Sequence, residues 1–342
     1  MEVKVDYVDM EPGRHMHWLL ASFLSLILLG FGSFLCGLYS YNPFAVKGMC
    51  SAAYFTFAVI SIAFYWAKAA KVRSSCPTFM DSTVFKTYAT EEGQIKHKLA
   101  DGIIVATLGG VATSLGQFSL FLGFYYAPNG RGVITVIVVG SALLSALLSY
   151  FIYKEVLKVP HVLGMVICAV GIVIIALQSS TDGTIGGFVC GVLALLFFSL
   201  RNLASRQCDV DGLDVVTAGI FNALWEGITG WVIMGFLLGM GYNPFSGESS
   251  LHMSYIGGLM IAGGAYFLNQ AIMTGYIGPA VTVANLVGVL QICLDFVFVG
   301  IVPDLVKIIG SLIAIFGVVF IMMGVDIFNW VLCKKEKIDK EI

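Results

Sequence analysis

Apolar stretches of about twenty residues, long enough to cross the hydrocarbon core of a bilayer, recur along almost the whole of this 342-residue chain. They exclude a soluble globule. With 58% hydrophobic and 12% charged residues, the chain has too few polar groups to cover a water-facing surface. The mean hydropathy of +0.90 agrees. The spacing predicts ten membrane spans, over 18–40, 46–67, 101–126, 131–153, 160–178, 184–206, 213–240, 255–275, 278–302 and 305–331. Residues 1–17 and 332–342 read as polar cytoplasmic segments, and 68–100 as a cytoplasmic loop too short and too poor in apolar residues to fold as a domain. The run Trp18 to Tyr39 is too long for a signal-peptide core and lacks a small-residue cleavage site, so it is expected to stay as the first span.

Charge gives the expected orientation. With a cytoplasmic N-terminus, the cytoplasmic segments carry 16 of the 19 Lys and Arg residues and the outer segments carry three, an asymmetry that places both termini in the cytoplasm. The sequence leaves plasma membrane and endomembrane both open. Lys340 lacks the second lysine of a dilysine retrieval signal, and Tyr7 to Met10 resembles a tyrosine-based sorting signal only as a four-residue pattern. A net charge of -2 and the lack of a basic, aromatic patch argue against a nucleic-acid partner.

The glycines repeat. Gly109, Gly110, Gly116, Gly130 and Gly140 recur 148 positions later as Gly257, Gly258, Gly264, Gly278 and Gly288, and Gly164 and Gly171 recur as Gly310 and Gly317 after a two-residue slip. This pattern predicts an internal duplication. Five spans per copy is an odd number, so the halves 18–178 and 184–331 are expected to lie in opposite orientations, the inverted-repeat plan found in many secondary carriers. The expected fold is therefore an all-α integral membrane protein of ten transmembrane helices in two inverted five-helix repeats. Glycine suits the helix contacts, because lipid supplies no hydrophobic force between spans and close backbone approach takes its place.

Polar residues inside the spans are the candidates for chemistry, since an intramembrane acid faces a cavity or a partner. Glu226 lies near the middle of the seventh span and shares a face with Asn222 and Thr229 at steps of four and three. Thr282, Asn285, Gly288, Gln291 and Asp295 form a second stripe in the ninth span. Thr113, Ser114 and Gln117 in the third span, Asn269 and Gln270 in the eighth, and the row Ser141, Ser145 and Ser149 in the fourth complete the set. Tyr125, Tyr126, Trp225 and Tyr266 are expected as aromatic walls of a central pocket. Glu226, with Asp295 second, is the candidate for taking up and releasing a proton; helix locking by amide and hydroxyl neighbours is the alternative role for both acids. The serine row can also bond its own helix backbone. Arg131, Lys154, Glu155 and Lys307 are expected to snorkel to the interface.

The eight cysteines form no CxxC pair and read as packing residues, with Cys36 and Cys50 able to face each other across a short outer loop. The two YNPF sequences, Tyr41 to Phe44 and Tyr242 to Phe245, follow the first and seventh spans. They do not correspond under a five-plus-five repeat, and are read as independent Asn-Pro turns that stop helices.

The stretch SALLSYFIYKEVLKVPHVLGMVICAVGIVIIAL, with Glu155, Gly164 and Gly171, resembles the signature region of the drug/metabolite transporter superfamily, in its ten-span, EamA-like form. There a span ends in a cytoplasmic Glu, a short amphipathic turn follows, and a Gly-containing span closes the repeat. The second copy, DFVFVGIVPDLVKIIGSLIAIFGVVFIMMG, keeps Gly310 and Gly317 but has no matching Glu. A narrower resemblance, FSLRNLASRQ from Phe198 to Gln207, is to the sixth-span region of the sugar-phosphate and nucleotide-sugar branches, with Arg201 and Arg206 at its basic positions. Val281 to Val302 holds neither the Lys nor the Arg that sugar-phosphate translocators carry there.

The resemblance implies a secondary carrier of a small organic metabolite, working by alternating access around a pocket lined by spans 3, 4, 8 and 9 and completed by 1, 6 and 7. Sugar-phosphate or nucleotide-sugar exchange is the alternative, and a non-transporting scaffold with a filled apolar core is another. An intramembrane enzyme lacks support, since no HExxH or clustered acids occur and all five histidines fall in loops or at span ends. No Walker A sequence occurs, so ATP is not expected to drive the cycle directly. No cofactor or metal is expected. The expected partners are a small-molecule substrate and the lipid bilayer, with protons and a second copy of the chain as candidates.

Overall fold

A computed structural model describes residues 12–39, 42–75, 97–126, 134, 137–155, 157–177, 185–243, 245, 251–300 and 302–321. These residues are helical throughout their ordered elements, with no strand among them. The helices are α1 (Pro12–Tyr39), α2 (Pro43–Ser75), α3 (His97–Tyr126), α4 (Ser141–Tyr153), α5 (Val159–Leu177), α6 (Ile185–Val210), α7 (Val215–Gly239) and α8 (Leu251–Thr274). A broken α9 (Ile277–Val299) and α10 (Leu305–Ile321) follow. Seven of them, α1, α2, α3, α6, α7, α8 and α9, are long and apolar enough to cross a membrane, while the apolar segments of α4, α5 and α10 are shorter. The outward faces are apolar: Phe64 is 73% exposed, Ile185 85% and Leu312 62%. Water would penalise such a surface and lipid does not. The chain is an all-helical, multi-pass membrane protein.

Helix starts follow local chemistry. Pro43 occupies the first helical position of α2, where a missing N–H costs nothing, and the Asn42 side chain accepts from Phe44 N at 3.0 Å. Asp214 caps α7 by accepting from Thr217 N at 3.0 Å. The helix α4 ends at Lys154, whose left-handed φ of 57° turns the chain back while its N–H bonds to Ser149 O. The helix α9 breaks at Asn285 and Leu286, between Ile277–Ala284 and Val287–Leu294, and finishes in a π-helical turn, Asp295–Val299. The continuous ninth span expected over 278–302 is therefore two helical pieces and a π-turn.

Bare glycine backbones set the tightest crossings. A Cβ built on Gly171 would lie 2.6 Å from Gly310 O, and one on Gly310 would lie 2.8 Å from Gly171 O. Gly164 and Gly317 meet in the same reciprocal way at 2.7 Å, so α5 and α10 cross antiparallel. Gly32 of α1 and Gly257 of α8 do likewise at 2.6 Å. The packing partners show a rule: α1 lies along α8 as α6 lies along α3, α2 packs on α8 as α7 packs on α3, and α1 touches α9 as α6 touches α4. Each pair becomes the other when five is added to the first half's helices and taken from the second's.

The expected loop 68–100 begins later than the sequence suggests, because α2 continues to Ser75 and α3 starts at His97. Residues 76–96, the tails 1–11 and 322–342, Arg131 and the Tyr7 to Met10 pattern lie outside the described residues.

Candidate functional site

A cavity of about 540 Å³ lies inside the bundle, walled by α1, α2, α3, α4, α6, α8 and α9. Its lining runs from mid-depth, at Arg201, Asn202 and Leu268, to the end of the bundle where α1 and α3 finish and α2 begins, at Pro43 and Tyr125. The helix α7, expected to complete the pocket, contributes nothing to the lining, and α2, not expected there, supplies Pro43, Val46, Cys50 and Tyr54. This follows from packing: α7 stands behind α2 and α3, with Gly227 against Ser51 and Phe55, and Asn222 and Trp225 against Gly110.

The predicted site residues divide accordingly. Gln117, Asn285, Gln291, Tyr125 and Arg201 line the cavity, joined by Thr113 and Ser141. Asn202 also lines it and was missed, although it follows Arg201 directly. Asn222, buried at 4% exposure, packs on α3 instead. Tyr266 packs on Gly219 and beside Phe57, away from the cavity. Asn269 is buried and accepts from Ser205 Oγ at 2.8 Å, tying α8 to α6. Gln270 is half-buried outside the lining, its carbonyl accepting from Thr274. Asp295 stands half-buried on the π-turn of α9, close enough to Lys307 to feel its charge, and does not reach the cavity. Tyr126 and Trp225 are not cavity walls either.

Glu226 is wholly buried and ion-paired to Lys47, itself wholly buried on α2. Lys47 Nζ also donates to Gln117 Oε1 at 3.2 Å, and Gln117 Nε2 donates to the Tyr54 hydroxyl at 3.3 Å. Glu226 thus sits one side chain behind the cavity wall, connected to it through Lys47 and Gln117. Lys47 is the residue that sequence reasoning misplaced by counting it with the outer segments. A lone acid in an apolar span demands a cation, and Lys47, four residues into an apolar helix after Pro43, was the available signal. Arg201 and Arg206, counted as cytoplasmic, are also inside, 4% and 1% exposed.

Beyond the deep end of the cavity lies a second polar cluster. Glu155, expected to snorkel, is 2% exposed. It accepts from Ser149 Oγ at 2.5 Å and from the Ile277 N–H that opens α9, and it faces Arg206 Nη2 at 3.9 Å. Arg206 also reaches Asp209 at 3.1 Å and the carbonyls of Ile272 and Met273 at 3.3 and 3.4 Å. Burial pushes the Glu155 carboxyl above the usual carboxylate range, against the pull of Arg206, Ser149 and the Ile277 N–H. The cluster fastens the end of α4 to α6, α8 and α9. The serine row serves the same seam: Ser145 Oγ accepts from Asn202 Nδ2 at 3.1 Å, and the Ser141 carbonyl accepts from Ser199 at 3.4 Å.

At the opposite end the two YNPF sequences meet. Asn42 Nδ2 donates to the Tyr242 hydroxyl at 3.2 Å, and the Phe44 ring stands edge-on to Tyr242 at 5.6 Å and tilted to Tyr125 at 5.8 Å. They are not independent turns, and the first one starts a helix. Cys36 and Cys50 do face each other, with sulfurs 3.9 Å apart, in the cavity wall. No group of three metal-ligating side chains occurs among the described residues.

No family model and no curated protein matches the chain. Among solved structures, one described as "Crystal structure of protein" superposes with a TM-score of 0.64 at 16% identity, covering 89% of this chain and 96% of that one. At that identity the likeness is one of fold alone.

Proposed function

We propose that this chain is a secondary transporter of a small organic metabolite, with ten spans in two inverted five-helix repeats, working by alternating access. The observation that carries the reading is the cavity: about 540 Å³, within the range of small-molecule sites, reaching one end of the bundle and stopped short of the other by apolar packing and the Glu155 cluster. A scaffold has no use for a chamber, apolar for the most part but with Arg201, Asn202 and Gln117 in its wall, that leaves its own helices underpacked. The five-step exchange of packing partners and the antiparallel glycine crossing of α5 with α10 support the inverted repeat. The three short helices α4, α5 and α10 then complete ten spans, with both termini in the cytoplasm. Taking Lys47, Arg201 and Arg206 out of the loop counts leaves the positive-inside asymmetry in force.

In this reading the enclosed state faces the side where Phe44, Tyr125 and Tyr242 meet, and the Glu155 cluster is the closed gate. Opening the other way separates α4 from α6 and α9 at Glu155 and Arg206. The resemblance to the drug/metabolite transporter superfamily, in which a span ends in a cytoplasmic Glu, supports reading the Glu155 end of α4 as the cytoplasmic side. Proton coupling is assigned to Glu226: its protonation releases Lys47 from the ion pair and leaves its charge held by Gln117 at the cavity wall. Uptake into proteoliposomes, tested with amino acids, nucleosides, sugars and sugar phosphates under an imposed pH gradient, checks both parts. No uptake of any solute would sink the carrier reading, and full gradient dependence in Glu226→Gln would sink the coupling assignment.

A further inference from the structure

The carrier reading names no substrate class, and the charges around the cavity supply one. Lys47 is neutralised by Glu226. Arg206 lies outside the lining, beside Glu155 and Asp209. Arg201 remains. It lines the cavity at 4% exposure, and no carboxylate lies within ion-pair distance of it among the described residues. Its guanidinium donates only to neutral acceptors, Asn202 Oδ1 at 3.1 Å and the Ala265 carbonyl at 3.0 Å, and its Nε–H has no acceptor among the described residues. Among the described residues no Asp or Glu lines the cavity.

A buried cation without a counter-ion is among the costlier arrangements a membrane interior can hold. Guanidinium is always protonated, so it cannot escape the cost by losing its charge. Both bonds made by Arg201 hold it in place without cancelling its charge.

Resting on the carrier reading for its setting, we infer that the cavity takes a small organic anion, whose negative head group is drawn to Arg201 and whose apolar body lies among Phe121, Phe124, Phe198 and Leu29. Carboxylate and phosphate share the planar or forked oxygen pattern that guanidinium recognises. Asn202, Thr113 and Gln117 also line the cavity and take remaining polar groups.

The test uses purified full-length protein in detergent, with thermal unfolding read against four probes of equal body: 4-phenylbutyrate, its neutral amide, 4-phenylbutylamine and 4-phenylbutyl phosphate. The anions raise Tm in a saturable manner and the amide and amine do not. Arg201→Gln weakens the apparent affinity for the anions at least tenfold, while Arg201→Lys, which keeps the charge but loses the fork, falls between. Which of the two anions binds more tightly names the head group. Equal stabilisation by amide or amine, no shift with either anion, or unchanged anion affinity in Arg201→Gln overturns the inference. If Arg201→Gln does not fold, the comparison of anion with amide on the native chain decides alone. Uptake of the same probes into proteoliposomes separates the two claims. Binding without uptake removes the carrier and leaves the anion site, whereas uptake of neutral solutes that no anion inhibits removes the anion site and leaves the carrier.

Discussion

The pairing of Lys47 with Glu226 makes a sharp energetic demand. Both side chains are wholly buried, so water does not screen them, and the usual discount for an exposed pair does not apply. Lys47→Met leaves the carboxylate without its cation, and Glu226→Gln leaves the ammonium with only Gln117. Each single change is expected to destabilise the protein by about 3–5 kcal/mol, the cost of stranding a buried charge. The double variant removes both charges and is expected to fall within about 1 kcal/mol of the native chain or above it. The coupling energy from the cycle is then at least about 5 kcal/mol in magnitude, far beyond the ~0.5 kcal/mol scatter of independent sites. Reversible unfolding in mixed detergent and dodecyl sulfate micelles, followed by tryptophan fluorescence, measures all four corners. Additive single effects would refute the reasoning, because they mean the two charges do not see each other in the folded bundle.

Three further outcomes follow from the geometry. A side chain at Gly171 would meet the Gly310 carbonyl and the Ala314 nitrogen, neither of which can rotate away, so Gly171→Val should cost about 1–3 kcal/mol or more, read as a lowered Tm. Because burial raises the Glu155 pKa in the folded state, folding binds the proton, so stability from this group is greatest below the unfolded value of about 4.3 and declines as pH rises toward the folded value. Glu155→Gln should flatten that decline in Tm measured from pH 4 to 7. Cys36 and Cys50 line the cavity, so a small methanethiosulfonate should modify them in an otherwise cysteine-free background. A bound anion should slow the reaction; equal rates with and without it would place the thiols outside the occupied space.

Length and apolarity made the helices legible, since the bilayer allows few alternatives to a helix of about twenty residues. Glycine spacing was legible because a crossing without side chains needs glycine on both partners, as Gly164 with Gly317 and Gly171 with Gly310 show. Facing was harder. Steps of three and four put Asn222 and Glu226 on one face of α7 but do not say what that face meets, and it meets α2 and α3 rather than the cavity. Asp295 keeps helical register with Gln291, to whose carbonyl its N–H bonds, but it lies one turn beyond the last residue of α9 in the lining, and the break at Asn285 and Leu286 falls before both. No proline marks that break. Lys47 was hidden because a charge near a span end is ordinarily assigned to water, and only the tertiary packing shows it enclosed, whereas Arg201 stood out through the resemblance of its stretch even though charge counting put it in the cytoplasm.

The interruption of α9 has a mechanical consequence. From Val287 to Val299 the outer piece is about 20 Å long at 1.5 Å per residue, and its root lies in the cavity wall, where Asn285 holds the Val139 carbonyl of the neighbouring chain segment at 3.4 Å. A rotation of about 10° at that root sweeps the far end through about 3 Å, the width of a water molecule. The inner piece is buried along its whole length and anchored beside Glu155. The outer piece rests on α1, with Leu290 against Gly30 and the Phe298 ring beside Phe34, so on the carrier reading the break at Asn285 is the pivot about which that contact with α1 would shift.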